Sequence, residues 1–366
     1  MITDKFENHL RFSIDWLIKS RHISGGSSAY YAPLFGWSKP YPETTGYIIP
    51  TLLEYYHYSD YKPAYETALE FGEWLLSIQS EQGYWNAGQH PPEKKDPSVF
   101  NTGQILFGLK SLLEETNDTK WAISLDKATG WLCESIDENG YWKSGHYRGF
   151  NPTYYSRVAW GILLASTVLD NKSYRKKAIL VLDSLIKNKN PNGTFSGWGF
   201  DEHGPAFTHT IAYTLRGFME SSIDVDDWEK YGAKTEQALQ KFYTLAELKN
   251  GRLAGQYDEE FSGTETYSCI TGNFQIALCL MRWYEKNNDL RLLNASSKLI
   301  EFSIGSQSTA FSLFSHKGAI PGSKPFWGRY MMFRYPNWSA KFCADALLLF
   351  LKLYKKESDR WDIAES

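Results

Sequence analysis

Six stretches of the chain are apolar on nearly every helical face: "PETTGYIIPTLLEYY", "FNTGQILFGLKSLL", "TYYSRVAWGILLAS", "FTHTIAYTLRGFME", "SCITGNFQIALCLM" and "NWSAKFCADALLLF". Apolar residues recur in them at the i, i+3, i+4 spacing of a buried helix. Aligned on a small residue near each start, they give the column Gly46, Gly103, Ser156, Thr210, Gly272 and Ala340, at successive separations of 57, 53, 54, 62 and 68 residues. Each of the first five is followed by a short polar connection and then by a second helix with one apolar and one charged face, such as "KPAYETALEFGEWLLSIQ". A further amphipathic helix at residues 4–19 opens the series. The pattern predicts about twelve helices in six pairs, with no linker dividing residues 1–366.

The two kinds of connection differ. Those after the repeated segments are short. Those before them are long and rich in Gly, Pro and aromatic residues, for example "SEQGYWNAGQHPPEKKDPSV" and "NPNGTFSGWGFDEHGPA". Long loops in a compact domain usually carry function. Six helical hairpins with this alternation predict an inner barrel of apolar helices and an outer wall of amphipathic ones. All long loops then fall on one face, and the small-residue column lets the inner helices approach. An open solenoid is the alternative.

At this level of pattern the chain resembles the (α/α)6 toroid superfamily, both the six-hairpin glycosidases and the terpenoid cyclase and prenyltransferase toroids. Gln79, Gly83 and Trp85 in "QSEQGYW" match the QxxxGxW element of the cyclases. "IDENGYW" keeps Gly140 and Trp142 but has Ile136 in place of the Gln. The chain lacks the DxDD acid motif of those cyclases and the Asp/Cys/His zinc set of the prenyltransferases. The resemblance therefore implies an all-α toroid and leaves the chemistry to the residues.

A formal net charge of -3 over 366 residues offers no basic footprint for nucleic acid and no polybasic membrane segment. No apolar run approaches the ~20 residues of a membrane-spanning helix. The N-terminus lacks the apolar core of a signal peptide. Cys133, Cys269, Cys279 and Cys343 are scattered through apolar helical patterns without metal spacing. The expectation is a cytoplasmic protein with no metal or other cofactor. Aromatic content is 16%, with 14 Trp and 24 Tyr, part of which serves the core. Aromatic faces stack on the C–H faces of sugar rings, which points to a saccharide as partner. Oligomeric state is not legible.

Positions flanking the small-residue column are largely polar. Thr45, Thr102, Tyr155, His209, Thr271 and Ser339 precede it, and Tyr47, Gln104, Arg157, Ile211, Asn273 and Lys341 follow it. Buried polar groups need partners, so this ring predicts a ligand-binding funnel at the N-terminal ends of the inner helices. His209, with Tyr155 as its neighbour from the preceding repeat and Arg157 beside them, forms a candidate acid/base group. Glu43 and the pair Asp201/Glu202 are candidate catalytic carboxylates, since glycoside hydrolysis commonly uses two. Gln104, Asn273, Glu265, Lys341, His146, Arg148, His203 and Arg329 are candidate binding groups, and Trp85, Trp142 and Trp198, each following a glycine turn, are candidate sugar-stacking faces. Arginines suit an acidic, uronate-containing saccharide. Hydrolysis is the first reading. Epimerisation or elimination by His209, Tyr155 and Arg157 is the second. A non-catalytic saccharide-binding or assembly protein and an isoprenoid-processing enzyme are the remaining alternatives.

Overall fold

The computed structural model describes residues 2–311 and 316–364. Six inner helices, α2 (Pro42–Ser59), α4 (Val99–Thr116), α6 (Ser156–Val168), α8 (Thr208–Asp224), α10 (Ile270–Asn287) and α12 (Asn337–Ala364), alternate with six outer ones. The outer helices are α1 (Ile2–Lys19), α3 (Lys62–Ser77), α5 (Thr119–Glu134), α7 (Lys172–Leu185), α9 (Glu236–Leu248) and α11 (Leu290–Ile304). Each inner helix packs on the next in chain order, and α12 returns to α2. The ring is therefore closed, as the hairpin pattern predicts, and the open solenoid is excluded.

The small-residue column works at the seams between inner helices. A methyl group built on Gly46 of α2 would sit 2.6 Å from the Ile105 Cα of α4, and one on Gly272 of α10 would sit 2.8 Å from the His209 nitrogen of α8. Backbones this close leave room for hydrogen only. The short turns from inner to outer helix share a second device. Asp60, Asn117, Asp170, Asp226 and Asn288 each adopt positive φ there, between 48° and 61°. Asn and Asp tolerate this conformation better than other non-glycine residues.

The long loops cover the opposite face and are knitted by short strands. Tyr30–Ala32 pairs with Gly36–Trp37 on one side and with Tyr335–Pro336 on the other, which fastens the first long loop to the last. Trp85 and Trp142 repeat one contact: each indole N–H donates across 3.0 Å to a carbonyl near the end of the preceding outer helix, Leu75 and Leu132 respectively. The Gln of the QxxxGxW-like element explains itself here. Gln79 Nε2 donates to the Gly83 carbonyl at 2.9 Å, and its Oε1 accepts from Ser124 Oγ of the next outer helix at 2.7 Å.

Replacing Gly46 by Ala forces a methyl group into the α4 backbone. Overpacking of this kind costs about 1–3 kcal/mol, against a gain of up to ~1 kcal/mol in helix propensity. Urea unfolding is expected to show a net loss of stability; an unchanged or raised midpoint contradicts the close seam.

Candidate active site

A cavity of about 340 Å³ opens among the long loops, above the first turns of the inner helices. Five of the six repeats line it. Tyr41, Glu43 and Tyr47 come from the start of α2, and Phe100 and Asn101 from the start of α4. Tyr147, Tyr154 and Phe200 come from loops, His209 and Tyr213 from α8, and Tyr330, Met331 and Trp338 from the sixth repeat. Glu43 is the one carboxyl and His209 the one imidazole among the described residues that line it.

His209 is 6% exposed. Its Nδ1 lies 2.7 Å from Gln275 Oε1 of α10. That oxygen can only accept, so Nδ1 carries the hydrogen and Nε2 keeps the lone pair. The ring packs 4.4 Å from Tyr213 and 5.3 Å from Tyr330, centre to centre. Burial pushes its pKa down to about 3; the Gln275 bond opposes this and the Arg157 charge adds to it. Burial has the opposite effect on Glu43, whose pKa rises to about 7 against the pull of the Tyr41 hydroxyl and Arg157. Desolvation penalises whichever form is charged. Near neutral pH the pocket therefore holds a carboxyl that retains its proton in part and an imidazole that is free to accept one.

The other expected residues are placed differently. Trp85, Trp142 and Trp198 are at most 2% exposed and none lines the cavity. The first two anchor loops to outer helices, and Trp198 packs edge-on against Phe261. Tyr155 is fully buried, and its hydroxyl accepts from the Tyr147 N–H at 2.9 Å. Its neighbours are Phe100, Trp142 and Tyr154, not His209, and Tyr154 reaches the cavity in its place. The hydroxyl column serves the same end: Thr45 Oγ1 accepts from Ser27 N at 2.9 Å and Thr102 Oγ1 from Trp85 N at 3.1 Å. These groups dock loops onto helices, and of the flanking positions only Tyr47 and His209 reach the cavity among the described residues.

Asp201, Glu202 and His203 stand exposed on the fourth long loop, with Asp201 paired to the exposed Arg148. Glu265 is exposed and paired to Lys249, and Arg329 is exposed. His146 is half-buried outside the cavity lining. Asn273 Nδ2 donates to the Gly251 carbonyl at 2.9 Å. Gln104 Oε1 accepts from Arg157 Nε at 2.6 Å. Arg157 and Lys341 line a separate space in the bore, beneath a floor that includes Tyr47 and Tyr213. Among the described residues no three His, Cys, Asp or Glu side chains gather as a metal site would require. Tyr213 and Gln275 escape a sequence reading for different reasons. Tyr213 lies one turn beyond His209 and was open to the i, i+4 rule; Gln275 meets His209 only through the packing of α10 on α8.

The two shifts have opposite pH signatures. An unfolded Glu43 ionises near 4.5 while the folded one holds its proton to about 7. Its contribution to stability is thus full below pH 4.5 and lost as pH rises to 7, by roughly 3 kcal/mol. His209 titrates at 6.5 when unfolded and at about 3 when folded, so its contribution is full above pH 6.5 and lost as pH falls towards 3. Measured by urea unfolding, Glu43→Gln should gain on the unsubstituted protein between pH 4.5 and 7, and His209→Gln should gain below pH 6.5. Differences that do not vary with pH contradict the assignment.

No family model matches the chain, and no curated protein matches it. Solved structures do. An unsaturated glucuronyl hydrolase specific for heparin superposes with a TM-score of 0.75 at 14% identity, covering 96% of this chain and 97% of its own. Cellobiose 2-epimerase from Bacillus thermoamylovorans B4167 gives 0.74 at 12% identity, covering 96% and 99%. A polysaccharide lyase gives 0.70 at 10%, covering 97% and 99%. The likeness spans nearly the whole of each chain and is one of architecture: this protein has the (α/α)6 toroid fold.

Proposed function

We propose that the protein is an enzyme that performs acid/base chemistry on a saccharide held in the long-loop cavity, with Glu43 as proton donor and His209 as proton acceptor. The observation that carries this reading is the pairing of a proton-retaining carboxyl and a neutral imidazole in one aromatic-walled pocket. Efficient proton transfer needs a donor and an acceptor whose environments move their pKa values apart and leave each in its useful form at working pH. In hydrolysis, Glu43 gives its proton to the glycosidic oxygen as the C–O bond breaks, and His209 Nε2 takes a proton from the attacking water. The walls suit a sugar: six of the nine aromatic residues among the described lining are tyrosines, which offer hydroxyls beside their ring faces. An isoprenoid would have no use for those hydroxyls. A positive charge from Arg157 reaches both Glu43 and His209 from below, which favours an acidic, uronate-containing substrate. Neighbours in fold act on saccharides by hydrolysis, epimerisation and, as a lyase, elimination. The four cysteines are buried and unpaired, which fits the reducing cytoplasm.

One observation favours a second reading. With a single carboxyl among the described lining residues, the two-carboxylate arrangement of many glycosidases is not built by them. An imidazole that abstracts a proton from carbon, with Glu43 supplying one to oxygen or to the opposite face, performs elimination or epimerisation with the same two residues. Incubation with neutral and uronate-containing oligosaccharides separates the readings. New reducing ends without a new ultraviolet-absorbing double bond mean hydrolysis, the double bond means elimination, and solvent deuterium incorporated without cleavage means epimerisation. Binding without any of these overturns the catalytic proposal. Glu43→Gln and His209→Gln should each lower turnover by about 100-fold or more, the scale of losing a general acid or base; near-normal turnover in either removes that residue from the mechanism.

A further inference from the structure

The bore contains a second cavity of about 360 Å³, which opens on the face of the short turns. It is lined by the later turns of the inner helices, including Glu54 of α2, Lys110 of α4, Arg282 of α10 and Lys352 of α12. Six cationic side chains face four carboxylates among the described lining residues. Most of these charges are accounted for. Glu220 accepts from Arg216 at 3.2 Å and from Arg282 at 2.9 Å. Asp345 is held by Lys341 and by Thr51 Oγ1. Lys110 pairs with Glu114 at 2.6 Å, Arg282 also pairs with Glu285, and Lys352 is exposed to solvent.

Arg157 has no such explanation. It stands in the first turn of α6, where the dipole disfavours a positive charge. It is 2% exposed, bonds Gln104 through Nε, and leaves Nη1 buried with no partner. Its guanidinium is 4.9 Å from the Tyr213 ring and 4.8 Å from the Phe107 ring, which softens the burial without supplying an acceptor. Arg216 repeats the anomaly. Its Nε is engaged by Glu220, but its Nη1 is also buried without a hydrogen-bond partner, 4.0 Å from an Asp345 carboxylate oxygen. The two guanidinium carbons lie 5.3 and 5.6 Å from the same Trp160 ring, so two like charges are held together over one cavity. Buried donors of this kind call for an acceptor, and a charged one satisfies them best.

We propose that this rear cavity is an anion site in which Arg157 and Arg216 bind a small oxyanion such as phosphate or sulfate, either free or as the head of a larger metabolite. The anion would accept hydrogen bonds from the two Nη1 groups, while Lys110 and Lys352 line its path from solvent. The site is distinct from the long-loop pocket and does not depend on the reaction proposed there.

Calorimetric titration of the full chain with inorganic phosphate, at ionic strength held constant with sodium chloride, tests it. Saturable binding is expected, weakened by about tenfold or more in Arg157→Gln and Arg216→Gln, the scale of losing a hydrogen bond between charged groups. Lys352→Glu, a change at an exposed position that leaves the fold intact, should weaken binding as well. His209→Gln should bind phosphate as the unsubstituted protein does. Glucose 6-phosphate binding more tightly than phosphate identifies the anion as a headgroup; equal or weaker binding identifies it as free. No saturable heat, unchanged affinity in folded Arg157→Gln, Arg216→Gln and Lys352→Glu, or loss of affinity in His209→Gln overturns the proposal.

Discussion

The close approach of the inner helices is the constraint on which the rest of the molecule depends. Glycine or another small residue at each seam lets six apolar helices meet around one axis, as Gly46 does against Ile105 and Gly272 against His209. A barrel drawn this tight removes water from whatever its inner faces present. Apolar side chains gain from that, and the few ionisable groups near the axis are displaced from their ordinary behaviour. Glu43 holds its proton in part, His209 stays neutral with its lone pair free, and Lys341 is pushed down to about 8 by burial. The chemistry proposed for the pocket is thus a product of the packing.

The axis is divided in two by an aromatic floor in which Tyr47, Tyr213 and Phe342 meet. Above it the walls are tyrosines and the proposed acid/base groups are Glu43 and His209. Below it the walls are charged. Arg157 lies against the underside, and its field acts on both groups above through that layer. Weak dielectric screening in this water-free layer lets one buried charge be felt on both sides.

The architecture was legible because its causes are local and repeated. Helical periodicity marks the twelve helices, the small-residue column marks the seams, and Asp or Asn marks each tight turn. The site was legible in part. His209 stood out as a polar residue in the first turn of an otherwise apolar helix, and Glu43 as one of the candidate carboxylates at the long-loop face. The rest was hidden because helical phase gives the direction of a side chain but not its depth or its neighbour. Thr45 and Thr102 have the phase expected of pocket residues, yet they accept backbone N–H groups from loops that fold back over them. Trp85 and Trp142 follow glycine turns as sugar-stacking residues would, but the turns aim them at the outer helices. Arg157 shares the ring with His209 and falls below the floor. Gln275, which fixes the His209 tautomer, is 66 residues away in sequence.

The central claim is that burial leaves the proton on the carboxylic acid and the lone pair on the imidazole in the same pocket. The most direct measurement is the pH titration of the Glu43 side-chain carboxyl by carbon-13 NMR, assigned by the signal lost in Glu43→Gln. The account predicts a midpoint near 7, the value to which burial raises this group. A midpoint near the ordinary 4.5 would mean that Glu43 is ionised at neutral pH and cannot serve as the proton donor.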